Sequence, residues 1–279
     1  MKAYLIYERF EAARNAWFAN RFIELGKERG VDLRLLVREE LTLSFEGSLS
    51  CFIYEGERLD KPGFVINRTQ DHILAKHFEN AGIPVFNNSE VCRIANNKML
   101  TFELASKLGL PFMETRYHTG NDADLCFPSV IKPVDGKGGK NVMLIKDGEA
   151  LKAALPLFEG KPFLSQKVAK TPGRDLRLYV LGGRVIASFM RLSSNDDLRS
   201  NFGIHGRAVP AVPEKPQLEA AKKIVGALKP DFVGIDFIFD GERTVFNEVE
   251  DCVGSRMVYA YTDIDVAKEY LDHILKSVF

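Results

Sequence analysis

An excess of charge of either sign is missing from this 279-residue chain, in which 38 basic side chains are balanced by 38 acidic ones. No long-range field advertises nucleic acid or an acidic membrane as a partner, so any phosphate chemistry has to come from local clusters. Cysteine is sparse. Cys51, Cys92, Cys126 and Cys252 contain no CxxC pair, which argues against a zinc site or a disulfide framework and leaves buried, reduced thiols as the expectation. No apolar run approaches membrane-spanning length. The start MKAYLIYERF, with one lysine and a short apolar run before Glu8 and Arg9, is too little for a signal peptide, and a cytoplasmic, soluble protein is expected. His72, His77, His118, His205 and His273 show no ligand spacing, and no GxSxG is present to support Ser-His-Asp catalysis. Internal repeats and low-complexity segments are absent too.

What is present fits a substantial folded core: 46% of residues are hydrophobic, enough for one large domain or two to three small ones. Ala3 to Tyr7 reads as a buried strand, and Phe18, Phe22 and Leu25 recur at helical spacing before Gly30. Strands at Leu33–Val37, Phe64–Ile66 and Val85–Phe86 alternate with helical stretches, so residues 1–95 form a parallel α/β unit. A helix at Lys98–Leu108 places Leu100, Leu104 and Leu108 along one side, and Gly109 with Pro111 stops it. Beyond it the pattern turns to hairpins. Strands at Ser129–Val134 and Asn141–Ile145 flank GKGGK; Phe163–Val168, Leu176–Leu181 and Arg184–Arg191 follow, the last two joined by LGGR. A helix marked by Leu218, Ala221, Val225 and Leu228 leads to the strand pair Val233–Phe239 and Thr244–Glu250, and Val266, Tyr270 and Ile274 mark a closing helix.

Three groups of residues can carry chemistry. In VIKPVDGKGGKNV, Lys132 interrupts an apolar strand and Gly136, Gly138 and Gly139 occupy the turn. Such a loop can bring backbone N–H groups up to an anion, although an ordinary hairpin with a snorkelling lysine gives the same pattern. Lys98 opens a helix, where the helix dipole opposes a cation. In FNEVED, alternation places Phe246, Glu248 and Glu250 on one strand face and Val245, Asn247 and Val249 on the other. Asp236, across the Asp240-Gly241 turn, comes within a few residues of Glu248. Three carboxylates on one sheet repel unless a cation sits among them, and oxygen ligands favour magnesium or manganese; a solvated face paired with lysines is the alternative. The third group is arginine. Arg177, Arg191, Arg199, Arg207 and Arg256 have guanidinium forks suited to phosphate and carboxylate, with Arg199 and Arg207 in a loop where plain surface placement competes.

In order and spacing these segments resemble the ATP-grasp superfamily, and more closely its RimK-like branch of carboxylate-amine ligases. The resemblance runs over the whole chain and is most specific over residues 96–256. NNKMLTFELASKLGLPFMET looks like the segment of the first nucleotide-binding lysine, here Lys98. VIKPVDGKGGKNV looks like the second lysine, Lys132, with its phosphate loop at Gly136, Gly138 and Gly139. FLSQKV is similar to the adenine hinge, here Gln166, Lys167 and Val168. DLRLYVLGGRVIASFMR and LRSN match the phosphate-side strands and loop, with Arg177, Arg191 and Asn201 in catalytic positions. Asp236, Glu248 and Glu250 fall on the metal positions. The sequence departs from the family at Glu250, where Asn is common, at Lys167, where an acid is usual, and in FGIHGRAV, where the closest ligases have Arg-Gly-Gly.

The resemblance implies an α/β (α+β) ATP-grasp fold: an N-terminal parallel α/β preATP-grasp domain at 1–95, a small lid subdomain at 96–170, and a C-terminal antiparallel-sheet subdomain with the metal site at 171–279. It implies ATP with Mg2+ or Mn2+, and an acyl phosphate that an amine attacks. The substrates are then a small-molecule or peptide carboxylate and an amine, with Arg199, Arg207 and Arg256 on the substrate side and no nucleic acid or membrane involved. Homo-oligomers, dimers or tetramers, are common in such ligases. Two other functions stay open: a phosphotransferase on the same fold, and a nucleotide-binding regulatory protein without turnover.

Overall fold

In the computed structural model the described residues are 1–120, 125–136, 139, 141–158, 160–193 and 206–279. Among them, four β-sheets organise the chain. Lys2–Tyr7 lies at the centre of a parallel sheet, between Asp32–Val37 on one side and Phe64–Asn67 then Val85–Phe86 on the other. Its alternation splits two cores. Ala3, Leu5 and Tyr7 face one hydrophobic cluster, while Tyr4 and Ile6 face another that is closed by Leu74, Ala75 and Phe78 of the helix His72–Asn80. The amphipathic helix Ala16–Glu28 buries Phe18, Phe22 and Leu25, as its spacing requires.

A three-stranded antiparallel sheet, Leu41–Glu46, Leu49–Tyr54 and Glu57–Arg58, is inserted in this region. Its polar and exposed positions dilute the alternation that would announce it in the sequence. Leu41, Phe52 and Tyr54 nonetheless close the second core.

Two antiparallel sheets build the rest. One has the order Met143–Ile145, Ser129–Pro133, Phe163–Lys167, Thr115–His118; the other runs Gly206–Pro210, Arg184–Ser193, Thr171–Leu181, Phe232–Asp240, Arg243–Glu250. The five-stranded sheet has a divided face. Tyr179, Leu181, Phe189 and Phe232 extend the first core, so that the parallel sheet and the closing helix Val266–Val278, through Tyr270 and Ile274, share it. Further along the same strands this face turns polar, with Asp175, Arg177, Arg191 and Asp236. The opposite face, including Leu176, Leu178, Val180, Ile235 and Phe237, packs with Ala220, Ala221 and Ile224 of the helix Lys215–Leu228.

One expectation changes at the helix Lys98–Lys107. Its buried residues are Thr101, Phe102 and Ala105, with Leu104 and Leu108 at the margin, because the helix seats Phe102 edge-on to Phe246 at 6.3 Å. No helix among the described residues is long and apolar enough to cross a membrane.

Candidate active site

A cavity lies between the two antiparallel sheets, with the start of the Lys98 helix at its edge. Asn97 caps that helix by accepting the Leu100 N–H at 3.1 Å, and the Lys98 backbone N–H donates to the Val134 carbonyl at 2.9 Å. The Lys98 ammonium is thereby carried to the glycine-rich turn, where it donates to the Gly136 carbonyl at 2.7 Å. Gly136 and Gly139 both line the cavity and have φ of 141° and 72°, backbone conformations that side chains resist. Gly138 lies outside the described residues.

Lys132 is 5% exposed, and its ammonium is held by neutral groups. It donates to Gln166 Oε1 at 3.1 Å and to Asn247 Oδ1 at 3.4 Å, and it sits 5.2 Å from the centre of the Phe102 ring. Burial pushes its pKa down to about 8; Glu248 opposes this and Lys98 adds to it. Gln166 is in turn fixed by donating to Thr115 Oγ1 at 2.9 Å. Lys167 and Val168 continue along the cavity wall, and the Lys167 N–H donates to the Glu114 carbonyl at 3.0 Å.

The opposite wall is an alternating chain of charges. Asp175 stands across from Arg191 in the strand register, and Arg177 across from Asp236. Arg191 donates from Nε to Asp175 Oδ1 at 2.5 Å and from Nη2 to Asp175 Oδ2 at 2.9 Å and Asp236 Oδ2 at 2.6 Å. Arg177 donates from Nε and Nη2 to the two oxygens of Asp236 at 2.7 and 2.6 Å, and its Nη2 lies 2.5 Å from Glu250 Oε2. Both arginines line the cavity, and Nη1 of each makes no hydrogen bond to a described residue. Burial alone would raise the Asp236 pKa, but Arg177 and Arg191 overcome it and hold the carboxyl below its ordinary range. Glu250 moves the other way: burial raises its pKa, Arg177 opposes this, and Asp236 and Glu248 add to it.

Gly234 makes this packing fit. A Cβ there would stand 2.9 Å from Val253 Cγ2 and 3.4 Å from Arg177 Nε, so the strand has to be bare where the arginine crosses it.

The three acids expected to form a metal cage are divided. Asp236 is 0% exposed, is absent from the cavity wall, and has three arginine hydrogen bonds. Glu248 and Glu250 line the cavity, and Glu248 makes no ion pair to a described residue. Among the described residues no three His, Cys, Asp or Glu side chains group closely enough to hold a metal by themselves. Two carboxylates still suit Mg2+, which commonly takes one or two from protein and the rest of its oxygens from phosphate and water.

The strand alternation read from FNEVE also changes. Asp236 pairs with Glu248 but Phe237 pairs with Phe246, which leaves Asn247 in a β-bulge. The bulge resets the phase: Phe246 and Val249 both join the core, and Asn247 joins Glu248 on the cavity wall.

Arg207 and Arg256 are not brought to this wall. Arg207 is exposed on the edge strand Gly206–Pro210, and Arg256 is exposed at the first position of the helix Arg256–Tyr261. Arg199 and Asn201 lie outside the described residues. Asp175 and Asn247 were missed by sequence reasoning. Asp175 had a signal, since two positions before Arg177 on a strand is the same face; Asn247 had none, because alternation turned it away.

Solved structures show the fold. The RimK domain ATP-grasp protein of Sphaerobacter thermophilus superposes with a TM-score of 0.74 at 19% identity, covering 99% of this chain and 100% of that one. D-alanyl-alanine synthetase A of Vibrio cholerae does so with a TM-score of 0.75 at 12% identity, covering 100% and 98%. The fold is the ATP-grasp fold. Residues 98–274 match the RimK-like ATP-grasp domain, and the chain belongs to that family; it is an ATP-dependent ligase. Relatives named probable alpha-L-glutamate ligase share this length: that of Maridesulfovibrio salexigens is 27% identical over 95% of this chain and 93% of its own, and that of Methanococcoides burtonii 25% over the same shares.

Proposed function

We propose that the protein joins a carboxylate to an amine by way of an acyl phosphate, with L-glutamate as one substrate and ADP and phosphate as products. The single observation that carries this reading is the pair Arg177 and Arg191: two buried guanidiniums clamped along their Nε and Nη2 edges by Asp175 and Asp236, both on a cavity wall and with Nη1 of each making no hydrogen bond to a described residue. A carboxylate oxygen is a poor leaving group in neutral water. Transfer of the ATP γ-phosphoryl group to it forms the acyl O–P bond and breaks the bond to ADP; the amine then adds to the carbonyl carbon, and phosphate departs with the former carboxylate oxygen. Negative charge gathers on the phosphoryl oxygens in the first step and on the leaving phosphate in the second. Fixed donors aimed there, which do not have to reorganise, are the efficient stabilisers.

In this reading Lys98 and Lys132 bind the nucleotide phosphates, the Gln166–Val168 segment meets the adenine, and the turn carrying Gly136, Gly138 and Gly139 covers the phosphates and excludes water that would hydrolyse the acyl phosphate. Glu248 and Glu250 would hold Mg2+, which neutralises phosphate charge when bound. Asp236 keeps Arg177 and Arg191 in place, and Arg199, Asn201, Arg207 and Arg256 remain candidates for the substrate side. The names of the relatives support glutamate as a substrate.

The test is a screen of L-glutamate against amines and peptides for ADP release by the purified chain. ADP that appears only when both are present supports ligation. Release that is indifferent to amine points to a phosphotransferase, and nucleotide binding without release to a regulatory protein.

A further inference from the structure

Two of the four cysteines meet at one carbonyl. Cys92, in the helix Ser89–Ala95, and Cys252, in the turn after the strand Arg243–Glu250, both donate to the Thr69 carbonyl oxygen, at 3.6 and 3.4 Å. Sulfurs that converge on one oxygen are neighbours of each other, and Cys252 acts electrostatically on Cys92. Asn96 ties the same two segments together. Its Nδ2 lies 3.5 Å from Cys92 Sγ and donates at 3.2 Å to Oδ2 of Asp251, the residue before Cys252. Neither thiol lines the nucleotide cavity, although Asn96 and Glu250 do.

Their surroundings give the two thiols different chemistry. Cys92 is fully buried, and burial, with the Asp251 carboxylate adding to it, pushes its pKa up, which makes it a poor first reactant. Cys252 is half-buried, and the buried Arg68 guanidinium acts on it, a cationic setting of the kind in which cysteines react. The other cysteines lie elsewhere: Cys51 is buried beside Arg58, and Cys126 is exposed beside Arg116.

We propose that Cys92 and Cys252 are a redox pair that a peroxide closes into a disulfide, and that the closed pair draws Glu250 out of place for Mg2+. The second half rests on the ligase reading; the first does not. The Cys252 sulfur attacks a peroxide oxygen and breaks the O–O bond, leaving a sulfenic acid and, from hydrogen peroxide, one water. The Cys92 sulfur then attacks the Cys252 sulfur, the S–O bond breaks, and the hydroxyl departs with the Cys92 proton as a second water. Two thiols are oxidised and one peroxide is reduced. Bonded sulfurs stand about 2.05 Å apart, closer than two thiols in contact, so one segment has to move. The helix is pinned by Val91 in the core and by its Asn88 cap, which accepts the Val91 N–H at 2.9 Å. The shift therefore falls on the turn and carries Glu250, two residues before Cys252.

The test uses the full chain with Cys126→Ser, which removes the exposed thiol, treated with hydrogen peroxide and then with dithiothreitol. Peptide mapping of the oxidised protein should show Cys92 linked to Cys252 and Cys51 still a thiol, and dithiothreitol should undo the link. Calorimetry with Mg2+·ADP should show binding about tenfold weaker after oxidation and restored on reduction. Adding Cys252→Ser, or Cys92→Ala should that variant not fold, should make ADP binding indifferent to peroxide. Thiols that stay intact, or a Cys252 that runs on to sulfinic acid with Cys92 unmodified, would overturn the pair; a mapped link with unchanged ADP affinity would overturn the switch. Failure of the reduced protein to bind ADP would sink the ligase reading and the second half with it, while the mapped link still decides the first.

Discussion

Deprotonation of Lys132 should weaken nucleotide binding above about pH 8. The ammonium is buried, its two hydrogen-bond acceptors are neutral, and its pKa falls from 10.5 to about 8. That gap is worth about 3 kcal/mol, the cost of keeping the ion desolvated without a partner. Phosphate oxygens would supply the partner and restore the charged form, so nucleotide binding above pH 8 has to be accompanied by proton uptake. The sign is therefore fixed: the Kd for ADP should be level below about pH 8 and rise by up to about tenfold per pH unit above it. The ligand-free protein should show the opposite trend in stability. Its folded-state pKa is depressed, the unfolded chain binds more protons between about pH 8 and 10.5, and this contribution to stability recovers over that window. Calorimetry with ADP from about pH 7 to 9.5, repeated on Lys132→Met, separates this from other titrations. A level Kd in wild type, or an equal rise in Lys132→Met, would refute the reasoning.

Glu248→Gln removes a charge from the cavity wall and almost no volume, so it should abolish ATP turnover while leaving the thermal midpoint within about 1–2 °C of wild type; turnover like wild type would remove Glu248 from the metal assignment. Arg177→Met strands Asp236 and Glu250 beside a single remaining arginine, and denaturant unfolding should show a loss of about 3–5 kcal/mol. Gly234→Ala pushes a methyl group to 2.9 Å from Val253 Cγ2, and should cost about 1–3 kcal/mol by the same measurement as well as lower kcat through displaced Arg177. An unchanged stability in that variant would mean the strand relaxes freely there.

Much of the fold was legible because period-2 and period-3.6 patterns survive wherever one face is buried. Ala3–Tyr7, the Phe18–Leu25 helix and the hairpin across Asp240-Gly241 all stand where that rule puts them. The sheet Leu41–Tyr54 was not legible, since its polar and exposed positions mask alternation. Arg256 carried a guanidinium that suits an anion and nothing that set its direction, and the structure leaves it exposed at a helix start.

Local sequence thus determined which chemical groups the chain has and which strands carry them: lysines beside glycines, arginines two apart from acids, carboxylates on a closing hairpin. Which of them meet was decided by strand register. One bulged residue brought Asn247 into the site and sent Phe246 to the core, and cross-strand pairing gave Asp236 to two arginines instead of the cavity. Periodicity is a property of neighbours along the chain. Register is set by packing across the sheet, where burying an unpaired charge costs more than any local preference returns.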